Sequence, residues 1–477
     1  MAPGRGGVAA LVGAALAACS TAPAPPRPER VLAAYTLLAP TPGGGTVPLA
    51  RAVVGAGRAC PELATERGPV PMTARTNPNP ATFPVEVCEA IYGLGERASV
   101  AGLDLPEVAA DPRRVVVVGD TGCGGGTWQD CADPAKWPFA GLTAAAAKEP
   151  PDVVVHVGDY VYRGTPSSIE VNGVRRGTYN AGNYRPEDVL CQMRDPYVSQ
   201  NGPGSSLPDS WEAWRADFFA PAAPLLRRAP WVAARGNHEL CSRAGPGYFY
   251  LLDPSSGRLG GELSCPPQEQ GSVALKNVVF PPPYRLELGA LRLVVMDTAN
   301  ACDQHANFAE AFARQFAEVQ RLAAGGPAWL VSHRPIWGVD GLDTAAGRFQ
   351  TSNVTLQQAL RRGPGAVLPA GVELVLSGHI HRFEALSFPG ATRPPQLVVG
   401  NSGVRLAEDA LSGRFATELD GVPTRGLALN EFGFLDAQPT SGGGWTGQLM
   451  GPGAAVLARC GSPAPGPDGE VCVAPGG

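Results

Sequence analysis

Excess positive charge is what this chain of 477 residues most clearly lacks, since 38 lysines and arginines stand against 43 aspartates and glutamates, for a formal net charge of −5. Without a broad cationic field, nonspecific binding to nucleic acid or to an anionic membrane surface is not expected, so any phosphate chemistry must be local. Only 17% of the residues are charged and 44% are hydrophobic, which excludes a typical disordered chain. Beyond the leader, no apolar run of about 18 residues occurs, so no further membrane-spanning segment is expected.

The cysteines lack the Cys-x-x-Cys spacing of a zinc–thiolate site. Ten of them follow Cys19, and an even number is typical of disulfides formed in an oxidising compartment. Sequence alone leaves the connectivity open, but short separations make three pairs plausible: Cys60 with Cys88, Cys123 with Cys131, and Cys460 with Cys472.

The first residues have the pattern of an export signal. Arg5 precedes the apolar run 8–18, which is too short to span a bilayer and has the length of a signal-peptide core. The run ends in Leu-Ala-Ala-Cys at 16–19, which resembles a bacterial lipobox, so we expect removal of residues 1–18 and lipid attachment at Cys19. The alternative is an ordinary signal peptide with an incidental cysteine. Either way the sequence predicts an exported protein in the periplasm or on the outer cell surface.

Composition divides the rest of the chain. Residues 19–50 are rich in proline and then glycine, which predicts a lipidated, extended tether. Residues 51–112 contain short apolar segments between Pro, Asn and Gly, which favours a small β-rich module. The main body is expected over 113–460, followed by a C-terminal tail at 461–477.

Within the main body, six short apolar runs are each followed closely by Asp, Asn or His, and are therefore predicted to be buried strands. The runs are 115–118, 153–157, 231–234, 291–296, 329–332 and 372–377. Helical spacing of apolar residues predicts an amphipathic helix over 308–324, capped by Asn307, and another beginning near Trp211. Strands that alternate with helices predict a layered α/β fold with polar residues gathered at the strand ends.

Histidines concentrate at these strand ends. Four of the six in the chain lie there, at 238, 333, 379 and 381. A single Gly-Asp or His after a strand is usually a turn or a structural residue. The evidence for a functional site is therefore that four histidines of one chain occupy such positions together. The remaining two are interpreted differently: His156 lies inside a valine-rich strand as a core residue, and His305 lies in a polar loop.

The ordered motifs GDTG (119–122), GDYVY (158–162), GNHE (236–239), LVSH (330–333) and GHIH (378–381) resemble the calcineurin-like metallophosphoesterase signature. Gly122, where most of that superfamily has His, together with Tyr162 three residues after Asp159, is similar to the purple acid phosphatase branch. The resemblance covers about 113–405 and implies a layered β-sandwich flanked by helices, preceded here by the small N-terminal β-rich module.

Carried over position by position, the resemblance implies two metal ions. One is held by Asp120, Tyr162 and His381, and Asp159 bridges both. The second is held by Asn237, His333 and His379. The first set contains a phenolate and carboxylates, which favour Fe(III), while the second suits a divalent ion such as zinc, manganese or iron.

The same resemblance implies a phosphomonoesterase in which metal-bound hydroxide attacks a small phosphate ester and His238 is the general acid. Glu239 is expected to orient a neighbouring group. Three arginines beside the motifs are candidates for phosphate contact: Arg163, Arg235 and Arg334.

Three other interpretations remain open. Residues 115–126 also look like a strand and a glycine-rich phosphate loop, but the acidic residue and the helix of a dinucleotide fold do not follow. A noncatalytic surface-binding lipoprotein would use the same fold as a platform, although every ligand position is filled. Within the enzyme class, a phosphodiesterase or nucleotidase would use the same metals. The natural substrate and the oligomeric state are not given by the sequence.

Overall fold

The computed structural model describes residue 1, residues 31–125, 129–162, 209–241, 243–266, 278–303, 306–344, 347–363 and 367–475, and the backbone of two strands within 167–179. The predicted signal peptide and Cys19 therefore lie outside the described residues. No helix in the described ranges is long and apolar enough to cross a membrane.

The strands, in chain order, are β1 (Ala33–Pro40), β2 (Thr46–Gly55), β3 (Glu62–Thr65), β4 (Gly68–Pro71), β5 (Thr73–Ala74), β6 (Val85–Ile91), β7 (Ala98–Val100), β8 (Leu103–Asp104), β9 (Val115–Val118), β10 (Val153–His156), β11 (Ser167–Val171), β12 (Val174–Tyr179), β13 (Trp231–Ala233), β14 (Tyr284–Leu288), β15 (Leu291–Val295), β16 (Ala328–Val331), β17 (Gly338–Asp343), β18 (Arg348–Ser352), β19 (Val372–Ser377), β20 (Phe383–Ser387), β21 (Gln396–Val399), β22 (Gly413–Leu419), β23 (Val422–Leu429), β24 (Phe434–Pro439), β25 (Trp445–Met450), β26 (Val456–Ser462) and β27 (Cys472–Val473). The helices are α1 (Phe139–Ala146), α2 (Trp211–Trp214), α3 (Ala220–Leu226), α4 (Gly245–Leu251), α5 (Ala309–Leu322) and α6 (Val354–Arg362), and a π-helical segment, Arg215–Phe219, joins α2 to α3.

Two large mixed sheets form the body. The larger has the strand order β27-β26-β25-β24-β9-β10-β13-β1-β2-β6-β5, and the smaller has the order β14-β15-β16-β19-β21-β20-β23-β22. Each contains four consecutive parallel strands, β9-β10-β13-β1 in the first and β15-β16-β19-β21 in the second. Six of these eight strands, all except β1 and β21, coincide with the apolar runs of the sequence, so the prediction of those six is confirmed.

The two sheets face each other across one apolar core. Alternate residues of β9 show the arrangement: Val115 and Val117 lie in the core between the sheets, whereas Val116 and Val118 pack outward against helices. In β15, Leu293 faces the shared core, together with its neighbours two residues away. Both faces of these strands are therefore buried, which is why the sequence has continuous valine and leucine runs there.

Helices cover the outer faces of both sheets. The outer layer of the larger sheet includes α1, α2, α3 and α4, and that of the smaller includes α5 and α6. The predicted layered α/β sandwich flanked by helices is thus confirmed. The predicted cap of α5 is wrong, because the side chain of Asn307 accepts a hydrogen bond from the hydroxyl of Thr355 at 2.8 Å and does not cap the helix.

The predicted N-terminal tether does not extend to residue 50. From Ala33 the chain forms β1 and β2, and β1 pairs in parallel with β13 of the larger sheet. The segment 51–112 is β-rich as predicted, but β6 pairs with β2, so it is not separate from that sheet. β1 and β2 belong to the sheet because they are largely apolar and their side chains are buried there, in part in the same apolar cluster as α4.

A buried charge cluster joins this N-terminal region to the body. Glu89 accepts a hydrogen bond from Arg75 at 2.7 Å, and Arg51 lies 3.4 Å from the same carboxylate. Both guanidinium groups also donate to main-chain carbonyls between Phe249 and Ser255. Removing one partner of a buried ion pair is strongly destabilising, because it leaves an uncompensated buried charge. The cluster therefore fixes the position of the N-terminal strands relative to the body.

The predicted C-terminal tail at 461–477 is also wrong in part. Residues 472–473 form β27, which pairs with β26 at the end of the larger sheet. The disulfides among described residues include the three predicted pairs, which are confirmed, and one more: Cys60–Cys88, Cys123–Cys131, Cys460–Cys472 and Cys241–Cys265.

Candidate metal centre

The predicted ligands follow the parallel strands of both sheets, at the edge where those strands end. Parallel strands place their carboxyl ends together, and the facing of the two sheets brings both sets of ends into one region. The residues that follow these ends are Asp120 after β9, Asp159 after β10, Asn237 after β13, His333 after β16, and His379 and His381 after β19.

Three of these residues have backbone angles that are rare for side chains other than glycine. Asp120, Asp159 and His379 have φ of 55°, 61° and 74°. A residue in this region costs about 1–3 kcal/mol and persists only where its surroundings impose it. Main-chain hydrogen bonds do so here, since the N–H of Asp120 donates to Gly158 at 2.9 Å and that of Thr121 donates to Asp159 at 3.0 Å.

Glu239 holds the turn that carries Asp159. Its carboxylate accepts hydrogen bonds from the backbone N–H groups of Asp159 at 3.0 Å, Tyr160 at 2.9 Å, Val161 at 3.2 Å and Gly236 at 3.1 Å. Burial raises the pKa of Glu239 to about 8, and nearby Asp159 acts in the same direction. Glu239 is thus the orienting group that the sequence predicts, and what it orients is a stretch of backbone.

A first cluster forms around the hydroxyl of Tyr162. That oxygen lies 2.9 Å from Asp120 Oδ1, 2.9 Å from Asp159 Oδ2 and 3.1 Å from His381 Nε2. Its four members are the residues that the resemblance implies for the first ion. Two carboxylates, a phenol and an imidazole therefore converge on one small volume.

A second cluster lies on the other side of Asp159. His333 Nε2 is 3.0 Å from Asn237 Oδ1 and 3.4 Å from Asp159 Oδ2. The other ring nitrogen of His333 is 2.9 Å from the carbonyl of Val157, and a carbonyl only accepts, so Nδ1 carries a proton. Asp159, His333 and His379 together have candidate ligand atoms within 4.8 Å of one another, a spacing that can hold a metal ion.

The electrostatics of the two clusters fit cations. Burial raises the pKa of Asp120 to about 7, and Asp159 adds to this shift. Burial opposes a charged His333, but Asp159 outweighs it and raises the pKa of His333 to about 9. Burial, Asp120 and Asp159 all raise the pKa of Tyr162 above its ordinary value. Without a metal ion, these three side chains therefore tend to hold protons, which offset the crowded negative charge. A bound metal ion would offset that charge instead, and its binding would release the protons.

Histidines line the open side of the centre. The side chains of Asp120 and Asp159 are 0% and 1% exposed, whereas those of His238, His379 and His381 are 18%, 17% and 24% exposed. Burial lowers the pKa of His381 to about 4, so its ring is neutral at ordinary pH and can serve as a ligand. A small molecule would reach the buried carboxylates past these rings.

His238 lies beside both clusters without entering them. Its backbone N–H donates to Asp159 Oδ1 at 2.8 Å, and its ring packs against Tyr162 with 3.8 Å between ring centroids. Ring nitrogen Nε2 is 4.0 Å from Asp159 Oδ2 and 3.3 Å from the guanidinium of Arg243. Burial and then Arg243 lower the pKa of His238 well below its ordinary value, which makes the protonated ring a strong proton donor.

The arginines that the sequence singles out have different positions. Arg235 is buried and forms two hydrogen bonds to Asp297, at 2.6 and 3.1 Å, so it is a structural partner of that carboxylate. Arg334 contacts Asp303 and lies beside His379, with its NH1 group 2.8 Å from His379 Nε2. Arg163 lies outside the described residues.

The two other histidines also differ. His156 is fully buried, with Nε2 2.9 Å from the hydroxyl of Thr121 and its ring stacked on Tyr160 at 3.8 Å, so its prediction as a core residue is confirmed. His305 lies outside the described residues.

Sequence reasoning missed two charged residues of this region. Arg243 follows the GNHE motif by four residues, and Asp303 belongs to a polar stretch after β15. Neither is part of a motif, so only the fold reveals that Arg243 reaches His238 and that Asp303 Oδ2 lies 2.9 Å from His379 Nε2.

Gly122 makes room for Tyr162. A Cβ atom at position 122 would lie 2.6 Å from the carbonyl oxygen of Tyr160 and 2.9 Å from both the backbone nitrogen and a ring carbon of Tyr162. The exchange noticed in the sequence therefore has a steric basis, because a side chain in the first motif and the tyrosine cannot share this space.

A two-sheet sandwich with acidic, amide and imidazole side chains gathered at its parallel strand ends defines a class of metal-dependent hydrolases. The chain belongs to the calcineurin-like phosphoesterase family, whose model matches residues 113–383. It is therefore a metal-dependent phosphoesterase. No curated protein matches the chain.

Solved structures show the same fold. The chain is similar to purple acid phosphatase PPD1 from seeds of yellow lupin (Lupinus luteus), with a TM-score of 0.53 and 15% identity, over 90% of this chain and 73% of that one. It is also similar to PhoD, with a TM-score of 0.50 and 12% identity, over 92% of this chain and 91% of that one. At these identities the likeness shows the fold alone.

The contacts of Gly122 generate a prediction about Tyr162. In Gly122→Ala the new methyl group clashes with the segment Tyr160–Tyr162. If Tyr162 is a ligand of iron, as the resemblance implies, the iron-loaded variant should lose both the tyrosine-to-iron absorption band and the metal held by the first cluster. Gly141→Ala is the matched control, because a Cβ there meets nothing within 4 Å and α1 gains a better helix former. Visible spectra and metal content measure the effect, and an unchanged band in Gly122→Ala would contradict the assignment of Tyr162.

Proposed function

We propose that the chain is a phosphomonoesterase with a binuclear metal centre, similar in its donor set to purple acid phosphatases. The observation that carries this proposal is the position of Tyr162, whose hydroxyl lies 2.9 Å from both Asp120 and Asp159 and 3.1 Å from His381. A phenol in such surroundings becomes a good ligand once a cation replaces its proton.

The first ion would be ferric and held by Asp120, Tyr162 and His381, with Asp159 bridging. Three anionic oxygen donors favour a hard, highly charged ion. The second ion would be divalent (zinc, manganese or iron), because the residues on its side are neutral apart from the bridge. These are Asn237, His333 and His379. When bound, the two ions supply polarisation of the phosphate and activation of the attacking water.

The chain's own residues supply the rest of the mechanism. His238 lies at the open side, where its imidazole, once protonated, can give a proton to the departing alkoxide, and its backbone N–H holds Asp159 at 2.8 Å. Arg243 lies next to that ring and adds positive charge where an anionic ester would enter. Negative charge brought by the ester favours the protonated form of His238, against the shift that burial and Arg243 impose.

A phosphodiesterase or nucleotidase remains the second candidate, since the same clusters would serve a diester. The choice between a monoester and a diester is expected to depend on residues 163–208, of which the structure describes only the backbone of β11 and β12. A noncatalytic surface-binding lipoprotein is disfavoured, because family membership and the complete donor set both agree with hydrolysis.

The activity is tested with a chromogenic phosphomonoester. Chelation should abolish turnover, and Asp159→Asn should do the same because it removes the bridging charge while keeping the side-chain shape. Asp152→Asn is the control, since Asp152 stands at the opposite end of β10 and accepts hydrogen bonds from the backbone of Arg113 and Arg114. Full turnover after chelation, or in Asp159→Asn, would refute the proposal.

The role of His238 predicts a dependence on the leaving group. In His238→Gln, turnover of an alkyl phosphate should fall by about 10²–10⁴-fold, whereas an ester of p-nitrophenol should be much less affected because its leaving group needs no proton. The two kcat values are compared in the same variant, so any loss of folded protein cancels. An equal loss with both substrates would assign His238 to positioning.

We also propose that the protein is exported and anchored by lipid at Cys19, with a small phosphate ester and no nucleic acid as its ligand. The disulfides among described residues agree with an oxidising compartment. Mass spectrometry of the mature N-terminus should find acylated Cys19, and an unmodified N-terminus beyond that residue would remove the anchor.

A further inference from the structure

We propose that Asp303, held by Arg334, fixes the tautomer of His379 and thereby sets the affinity of the second metal position. This inference rests on the proposed binuclear centre and adds a positioning residue to it. Asp303 is not part of any of the five motifs, and it comes from the segment between β15 and α5, which contributes no proposed ligand.

The contact between Asp303 and His379 determines which ring nitrogen is free. Asp303 Oδ2 lies 2.9 Å from His379 Nε2, and a carboxylate only accepts hydrogen bonds, so a hydrogen bond between the two requires the proton on Nε2. The lone pair of the neutral ring is then on Nδ1. This nitrogen is the one nearer the backbone, and the backbone N–H of His379 already donates to Asp120 Oδ2 at 2.9 Å. The free lone pair is thus on the side of the ring closer to the proposed centre.

Arg334 keeps Asp303 in this position. Its NH1 group contacts Asp303 Oδ2 and lies 2.8 Å from His379 Nε2. Two donors cannot bond to each other, so in the proposed tautomer the guanidinium and the imidazole N–H share one carboxylate oxygen. Arg334 also follows His333 directly, which means that one stretch of chain provides one proposed ligand and supports another.

The remaining groups around Asp303 restrict it further. Asn353 donates to Asp303 Oδ1 at 3.1 Å, and the backbone N–H of Val354, at the start of α6, donates to the carbonyl of Asp303 at 2.8 Å. Both carboxylate oxygens and the main chain are therefore held. With side-chain exposures of 13% for Asp303 and 10% for Arg334, water has little access to compete for these contacts.

The ring of His333 is oriented in the same way, by a different hydrogen-bond acceptor. There, Nδ1 donates to the carbonyl of Val157 at 2.9 Å, which leaves Nε2 for the centre. The two histidines of the second position thus present opposite ring nitrogens, and each is oriented by an acceptor behind it. Groups of this kind typically change metal affinity by 10–100-fold when they are removed.

A merely structural ion pair would behave differently, and the chain offers one for comparison. Asp297 is also buried and pairs with Arg235 through two hydrogen bonds, at 2.6 and 3.1 Å, and it accepts a further hydrogen bond from the backbone N–H of Ala299. Removing its charge should lower stability as much as the same change at Asp303. The two variants should differ in metal binding.

The experiment titrates metal-stripped full-length protein with Zn²⁺ by calorimetry and counts the bound ions by mass spectrometry. Asp303→Asn should retain one ion with unchanged affinity and bind the other about 10–100-fold more weakly. Asp297→Asn should bind both ions like the wild type, even if its melting temperature falls. Folding of each variant is checked by circular dichroism.

If Asp303→Asn does not fold, Arg334→Gln replaces it. This variant keeps the carboxylate and removes only its support, so we expect a smaller weakening confined to the same ion. Wild-type affinity for both ions in a folded variant, or equal weakening in Asp303→Asn and Asp297→Asn, would overturn the inference. Substrate is absent from this measurement. A wild type that binds two ions without hydrolysing esters would refute the proposed function and leave the role of Asp303 intact.

Discussion

The rest of the site depends on the buried carboxylate of Asp159. It is 1% exposed, its backbone is in the left-handed region, and the four backbone hydrogen bonds that Glu239 accepts hold its turn in place. Both clusters include this side chain, so neither could form elsewhere in the fold. Strain and burial at Asp159 are sustained because a second buried carboxylate, that of Glu239, accepts hydrogen bonds from the backbone N–H groups of Asp159 and of the two residues that follow it.

The sandwich explains why the donors come from such distant parts of the chain. Each sheet contains four consecutive parallel strands, and the shared core between the sheets fixes how far apart the two sets of strand ends can be. Asp120, Asp159 and Asn237 come from the larger sheet, whereas His333 and His381 come from the smaller one. Apolar packing between the sheets is therefore what keeps carboxylates and imidazoles within bonding distance, despite the repulsion between Asp120 and Asp159.

The sequence allowed prediction of the parts of the fold that repeat a strong local pattern. Continuous apolar runs such as 115–118 are readable because strands buried on both faces admit almost nothing else. Strands β1 and β27 were missed because proline and glycine around them favour loops, and only pairing with distant strands stabilises them. The ligand positions follow from motifs, but Arg243 and Asp303 do not, since their partners are distant in sequence or share no pattern with them.

The two halves of the centre are specified by different physics. In the first, negative charge dominates, because Tyr162, Asp120 and Asp159 all supply oxygen, and the pKa of Tyr162 is raised until a cation replaces its proton. In the second, neutral donors dominate, so the direction of each lone pair matters more than charge, and His333 and His379 each need an acceptor behind the ring. In the proposed binuclear centre, a change of charge should therefore act mainly on the first ion and a change of hydrogen-bond acceptor mainly on the second, although both ions would share one bridging carboxylate.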